Sequence, residues 1–127
     1  MSFCLCGSNV PADSCCAPIL AGVQKAVTAE ALMRARYCAY VQADIDFLSN
    51  SLHPEHRDDH DIEATRQWAE SSQWLGLQII STAQGGADDP QGEVEFIASF
   101  KEKGVVHQHH EQSFFSKLDG EWFFVDG

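Results

Sequence analysis

Long apolar runs are missing from this sequence. No stretch of eighteen or more apolar residues occurs in its 127 positions, so no helix is expected to span a membrane. Positive charge is scarce too. Eight Lys and Arg stand against nineteen Asp and Glu, for a formal charge of −11. That imbalance repels phosphate backbones and anionic lipid surfaces, which argues against nucleic-acid and membrane partners. The opening Met1-Ser2-Phe3-Cys4-Leu5-Cys6 places no basic residue ahead of its apolar positions. No secretory leader is expected, and the cytoplasm is the default compartment. Thiols stay reduced there, which sets disulfides aside as the reason for the five cysteines. Internal repeats and low-complexity tracts are also absent.

What is present suits a folded domain. Apolar residues make up 44% and charged residues 21% of the chain, and eight Phe, three Trp and two Tyr can fill a core. The length fits one ordinary domain with a small appendage. We place the appendage at 1–18 and the domain at 19–127.

Periodicity orders the domain. Met33, Tyr37, Val41, Ile45 and Leu48 recur at steps of four, four, four and three, which predicts one amphipathic helix over 28–49. Thr28 or its neighbour starts it, with Glu30 suited to the first turn. The segment 50–61 is polar and holds Pro54, against a continuous helix. A second helix is expected from Asp61, as its cap, to Ser72, burying Ile62, Thr65, Trp68 and Ala69. From Trp74 the period becomes two. Leu75, Leu77 and Ile79 are expected on one face of a first strand, and Val94, Phe96, Ala98 and Phe100 on one face of a second. Turns fall at 85–92, Lys103-Gly104 and Asp119-Gly120, and strands at 105–118 and 121–125. Helices before an antiparallel meander make an α+β fold, with a curved sheet around the long helix.

Chemistry concentrates at the start. Cys4-x-Cys6, eight residues, then Cys15-Cys16 can wrap one Zn²⁺ with four thiolates. Gly7, Ser8, Asn9, Pro11 and Asp13 between them are turn formers that bury too little to fold alone, so a metal is the economical support. Gly7-Ser8 lets the backbone turn, and its amides can donate to sulfur. The same cysteines read as a vicinal redox pair at Cys15-Cys16, or as plain reduced thiols, remain alternatives.

Cys4-Leu5-Cys6-Gly7-Ser8 followed by Cys15-Cys16 resembles the SEC-C motif, the zinc-binding tail of the SecA translocation motor. The resemblance implies zinc on Cys4, Cys6, Cys15 and Cys16. SEC-C motifs usually carry lysines between the pairs that help dock an acidic chaperone surface. Asn9, Val10, Pro11, Ala12, Asp13 and Ser14 stand there instead, so that partner is not implied. The runs Leu32-Met33-Arg34-Ala35-Arg36-Tyr37-Cys38-Ala39-Tyr40, Trp74-Leu75-Gly76-Leu77, Phe96-Ile97-Ala98 and Trp122-Phe123-Phe124-Val125-Asp126-Gly127 are similar to the bacterial YchJ-like family. That likeness implies a SEC-C-type knuckle ahead of a cystatin-like, nuclear-transport-factor-like (NTF2-like) roll, either monomeric or dimerised through its sheet. It implies no assigned activity.

Other residues invite sharper readings. His53, His56 and His60, with Asp58, Asp59 and Asp61, offer metal donors, but a solvated connector is the preferred reading. His107 and His109 share a strand face opposite His110; they can chelate, but no third ligand is near in sequence, and a plain sheet surface is preferred. Cys38, with Arg34 four residues before it, reads as core rather than as a reactive thiol. Sheets of this fold enclose a pocket in which Tyr37, Tyr40, Trp74, His109 and Glu111 would be candidates for acid–base work, though no motif establishes a dyad. A protein-interaction or adaptor module, without a catalytic site, is therefore the expected function. A small-molecule-binding protein or enzyme using the pocket is the alternative. A pocket lined by polar groups with perturbed acidity would favour the alternative.

Overall fold

The computed structural model describes residues 3–59 and 61–126; His60 of the polar connector and the closing Gly127 lie outside them. Among the described residues, four helices come first: α1 (Ala17–Leu20), α2 (Ala29–Gln42), α3 (Ile45–Asn50) and α4 (Ile62–Ser71). Single 3₁₀ segments lie at Ala12–Ser14 and Pro54–Asp59. Four strands follow: β1 (Gln73–Gln84), β2 (Gln91–Glu102), β3 (Val105–Leu118) and β4 (Glu121–Asp126). They pair antiparallel in the order β1-β2-β3-β4, so the fold is the expected α+β meander. Among the described residues no helix is long and apolar enough to cross a membrane.

Helix α2 starts as its sequence suggests, with Thr28 Oγ1 accepting from the Ala31 amide at 3.0 Å. It does not run to residue 49. Ala43 turns left-handed at φ 54°, and Asp44 caps a separate helix by accepting from the Phe47 amide at 3.1 Å. A left-handed alanine costs about 1–2 kcal/mol. The new cap returns about 1 kcal/mol. Complete burial of Leu48 adds roughly 1.5–3 kcal/mol. The apolar spacing passed through this break unchanged because both pieces bury the same kind of face.

Helix α2 is buried nearly all round, which a surface helix never is. Leu32, Met33 and Tyr37 meet the sheet, where Val94, Phe96, Ala98, Phe115 and Trp122 form the main core. Ala35 and Cys38 meet the cysteine loop instead. The helix is thus a middle layer between the sheet and the residues before it.

The first strand departs from strict alternation. Register shifts between Trp74 and Gly76, and between Ile79 and Ser81, interrupt β1. Trp74, Leu77 and Ile79 pack against the core, while Leu75 is 48% exposed rather than sharing their face. The turn at 85–92 closes tightly. A Cβ on Gly92 would stand 2.4 Å from the Gly85 Cα, and the Gly85 carbonyl accepts from the Ala29 amide at 2.9 Å. Glycine is needed there for strand ends to seat the start of α2. At the far edge, Phe124 donates to the Ser51 carbonyl and His53 to the Phe124 carbonyl, both at 2.8 Å, so the connector covers the open side of β4.

Candidate functional site

The cysteine loop is built by local backbone chemistry. The Cys4 amide donates to the Val10 carbonyl at 2.8 Å and the Cys15 amide to Ala12 at 3.0 Å. Gly7, at φ 84°, reverses the chain after Cys6. The result brings the sulfurs of Cys4, Cys6, Cys15 and Cys16 within 4.8 Å of one another. Cys6–Cys15 is 3.6 Å and Cys15–Cys16 is 3.8 Å. A tetrahedral ion with metal–sulfur bonds of about 2.3 Å needs sulfur–sulfur edges of about 3.8 Å. The four-thiol set therefore fits a metal ion, soft donors and spacing together.

Helix α2 supplies the surroundings of this cluster. Arg34 Nη1 donates to the Cys6 carbonyl at 2.8 Å and lies 3.9 Å from the Cys6 sulfur, while its Nε is held by Glu30 at 2.9 Å. Ser8 Oγ lies 3.1 Å from the Cys15 sulfur. A side-chain hydroxyl and a guanidinium, rather than the Gly7 and Ser8 amides, are thus the polar groups seen beside sulfur. Cys38 is core, as its sequence position suggested, but it is also a fifth thiol, 3.7 Å from the Cys4 sulfur. The thiols share protons unequally. Hydrogen bonds from Cys16 and then Cys38 hold Cys6 far below the usual thiol range. Cys16 is pushed far above it by hydrogen bonds with Cys38 and Cys6 and by burial. Burial pushes Cys15 up as well. A divalent cation would draw all four ligands into the thiolate form.

The opposite side of α2 faces a cavity of about 250 Å³. It lies between α2, α4 and the strands β2 and β3, and Tyr37, Tyr40, Trp74, His109 and Glu111 all line it. The structure thus gathers the five residues named from sequence as pocket candidates. His109 Nε2 contacts Glu111 Oε2, and Glu111 Oε1 accepts from Ser113 Oγ at 2.8 Å. The His109 ring stands edge-on to Trp68, with centroids 5.3 Å apart. Tyr40 packs on Trp68 at 5.0 Å and on Trp74 at 5.4 Å. Burial pushes the Tyr37 phenol up to about 12 and raises Tyr40 too.

Sequence reading missed Arg36, which is 6% exposed and lines this cavity. Its Nη1 donates to the Leu48 carbonyl at 3.0 Å and to Ser51 Oγ at 2.5 Å, and its guanidinium lies 4.5 Å from the Phe124 ring centre. The signal was available: Arg36 follows Met33 by three and precedes Tyr40 by four, which puts it on the pocket side of the helix.

Among the described residues, the other histidines are not brought into a donor set. Asp61 caps α4 by accepting from the Ala64 amide at 3.0 Å. His53 and His56 pack edge-to-face with centroids 5.9 Å apart, and His60 lies outside the described residues. His107 stacks on Phe100 at 5.3 Å, and His110 meets Glu95 at 2.6 Å on the outer face of the sheet. Among the described residues the four cysteines are the one group of three or more potential ligands that converges.

Known proteins match both parts. The family model "YchJ, middle NTF2-like domain" matches residues 28–127. A UPF0225 protein of Geobacter sulfurreducens is 48% identical over 126 residues, 99% of this chain and 78% of that one. The solution structure of a SEC-C motif containing protein from Rhodopseudomonas palustris superposes with a TM-score of 0.89 at 42% identity, over 98% of this chain and 95% of that one. The crystal structure of a SEC-C motif containing protein from Psychrobacter arcticus gives 0.83 at 30% identity, over 97% and 80%. The thiol cluster, the α+β roll and these matches together show that the chain belongs to the YchJ-like family of SEC-C motif proteins.

Proposed function

We propose that this protein is a small-molecule-binding module whose pocket helix is braced from behind by a zinc knuckle. The cavity beneath α2 carries the reading. It combines aromatic walls from Tyr40, Trp68 and Trp74 with the inward polar pair His109–Glu111, the composition of ligand sites rather than of plain core. Phenols whose acidity is shifted by burial agree with that reading. Cys4, Cys6, Cys15 and Cys16 would hold Zn²⁺ as a closed structural site, which supplies folding energy to a loop that has little core of its own. Reduced thiols of this kind suit the cytoplasm. The test is a fragment screen by NMR on the indole signals. Binders should move Trp68 and Trp74 and leave Trp122, which donates to the Val27 carbonyl away from the cavity. A fragment set that moves neither pocket indole rules the reading out.

A second reading, docking of a protein partner on the knuckle, is favoured by one observation. Phe3 and Leu5 are 63% and 54% exposed at its tip, and Val10 is 38% exposed. Capture of a lysate protein that survives Leu5→Asp, with metal content unchanged, would count against it.

A further inference from the structure

Arg36 is a buried charge with no carboxylate of its own. Its two hydrogen bonds both come from Nη1 and both go to neutral acceptors, the Leu48 carbonyl and Ser51 Oγ. Among the described residues, Nε and Nη2 donate to nothing, and no carboxylate forms an ion pair with the guanidinium. The carboxylate whose charge acts on it, Glu111, is already engaged by His109 and Ser113. Removing a guanidinium from water without an anion costs several kcal/mol, so such a group is kept only where something offsets it. The Phe124 face at 4.5 Å offsets part, but a ring quadrupole is worth about 0.5–2 kcal/mol. The same side chain lines the cavity.

We propose that the pocket binds a small carboxylate with a flat apolar body, its carboxylate on the free edge of Arg36 and its body against Trp68, Trp74 and Tyr40. This rests on the pocket reading above and adds the chemistry of the ligand. A planar two-oxygen anion matches the guanidinium fork, and two parallel N–H···O bonds can form from Nε and Nη2. Size sets the other limit. A cavity of about 250 Å³ holds the liquid volume of only about eight waters, so the ligand has around ten non-hydrogen atoms. The aromatic wall favours a ring over a flexible chain, since Tyr40, Trp68 and Trp74 centroids lie 5.0–5.4 Å from one another and present faces and edges for stacking.

Benzoate and benzamide make the decisive pair, because they share shape and differ in charge. Each is titrated into the full-length protein at neutral pH, and the indole signals of Trp68, Trp74 and Trp122 are followed. Benzoate should move Trp68 and Trp74 but not Trp122, with a Kd at least about tenfold below that of benzamide, the worth of one charge-assisted hydrogen bond. Arg36→Met should erase the preference and Arg36→Lys should keep part of it. If Arg36→Met does not fold, the comparison of the two ligands on the native protein decides alone. Benzamide binding as tightly as benzoate overturns the carboxylate assignment and leaves the pocket reading standing. Movement of neither pocket indole by either compound, when the wider fragment screen does move them, also overturns it. Silence in both experiments overturns the pocket reading itself.

Discussion

The sulfurs of Cys4 and Cys38 lie 3.7 Å apart although 34 residues separate them in sequence. This contact joins the loop of candidate metal ligands to the middle of the helix that lines the pocket. The knuckle is therefore packed into the domain, with Ala35, Ile19, Leu20 and Phe47 around its thiols. Its effect on the domain and its own stability can be separated by experiment.

Metal analysis of the purified protein should find about one zinc per chain, bound by Cys4, Cys6, Cys15 and Cys16. Cys15→Ser should lose it and release the first eighteen residues, because Cys15 is only half-buried and contributes a ligand more than packing. Amide hydrogen exchange should rise through 3–16 and stay slow at Val94 and Phe96. Absence of metal, with all five thiols reacting in the native state, would contradict the assignment. So would loss of the whole thermal transition in Cys15→Ser.

Arg34→Met should weaken the knuckle without touching a ligand. It removes the bond to the Cys6 carbonyl and the positive charge beside the Cys6 sulfur. A hydrogen bond of a charged group is worth about 1.5–3 kcal/mol. Chelator competition should show metal affinity reduced by about tenfold or more, the range seen for outer-shell changes. Unchanged affinity would mean that Arg34 serves only its pair with Glu30.

Ala43→Gly should stabilise the protein. The backbone there is left-handed, which costs an L-residue about 1–2 kcal/mol and glycine nothing sterically. Allowing for the extra freedom of glycine in the unfolded chain, a net gain of about 0.5–1 kcal/mol is expected in urea denaturation. Gly92→Ala should do the reverse and by more, since the new Cβ would meet backbone at 2.4 Å. A neutral result at Gly92 would show that the 85–92 turn can open at little cost.

Alkali should unfold the protein before the buried phenols ionise. Tyr37 is pushed up to about 12 by burial, against about 10 in an unfolded chain. Below pH 10 both states hold the proton and stability is unaffected. Between about 10 and 12 only the unfolded state releases it, so stability falls as pH rises, by up to about 1.4 kcal/mol per pH unit. Tyr40, raised in the same direction, adds to the fall. Ultraviolet titration should show little tyrosinate near pH 10.5 while the fold persists, then a rise together with unfolding. A native-state signal near pH 10 would place these hydroxyls in water.

The sequence alone was enough for the class of fold, the strand order, the turns and the four-cysteine cluster. Each of these depends on residues near one another in the chain, or on a period that repeats along it. Asp119-Gly120 makes its turn wherever it sits, with both residues at positive φ. Thr28 and Asp61 cap their helices through amides only three residues away. Only the tertiary structure decided the break at Ala43, the outward turn of Leu75, the place of Cys38 beside Cys4 and the burial of Arg36. The physical reason is common to all four. Local propensity disfavours a left-handed alanine, an exposed strand leucine and a buried arginine; a buried cysteine it permits without naming its neighbour. What settled them was packing against groups distant in sequence: Leu48 and the α3 cap, the β1–β2 register, the knuckle pressed on α2, and a cavity between helix and sheet. The cysteine cluster that the sequence displays most openly thus packs on one side of α2, and the charge it displays least, Arg36, lines the cavity on the other.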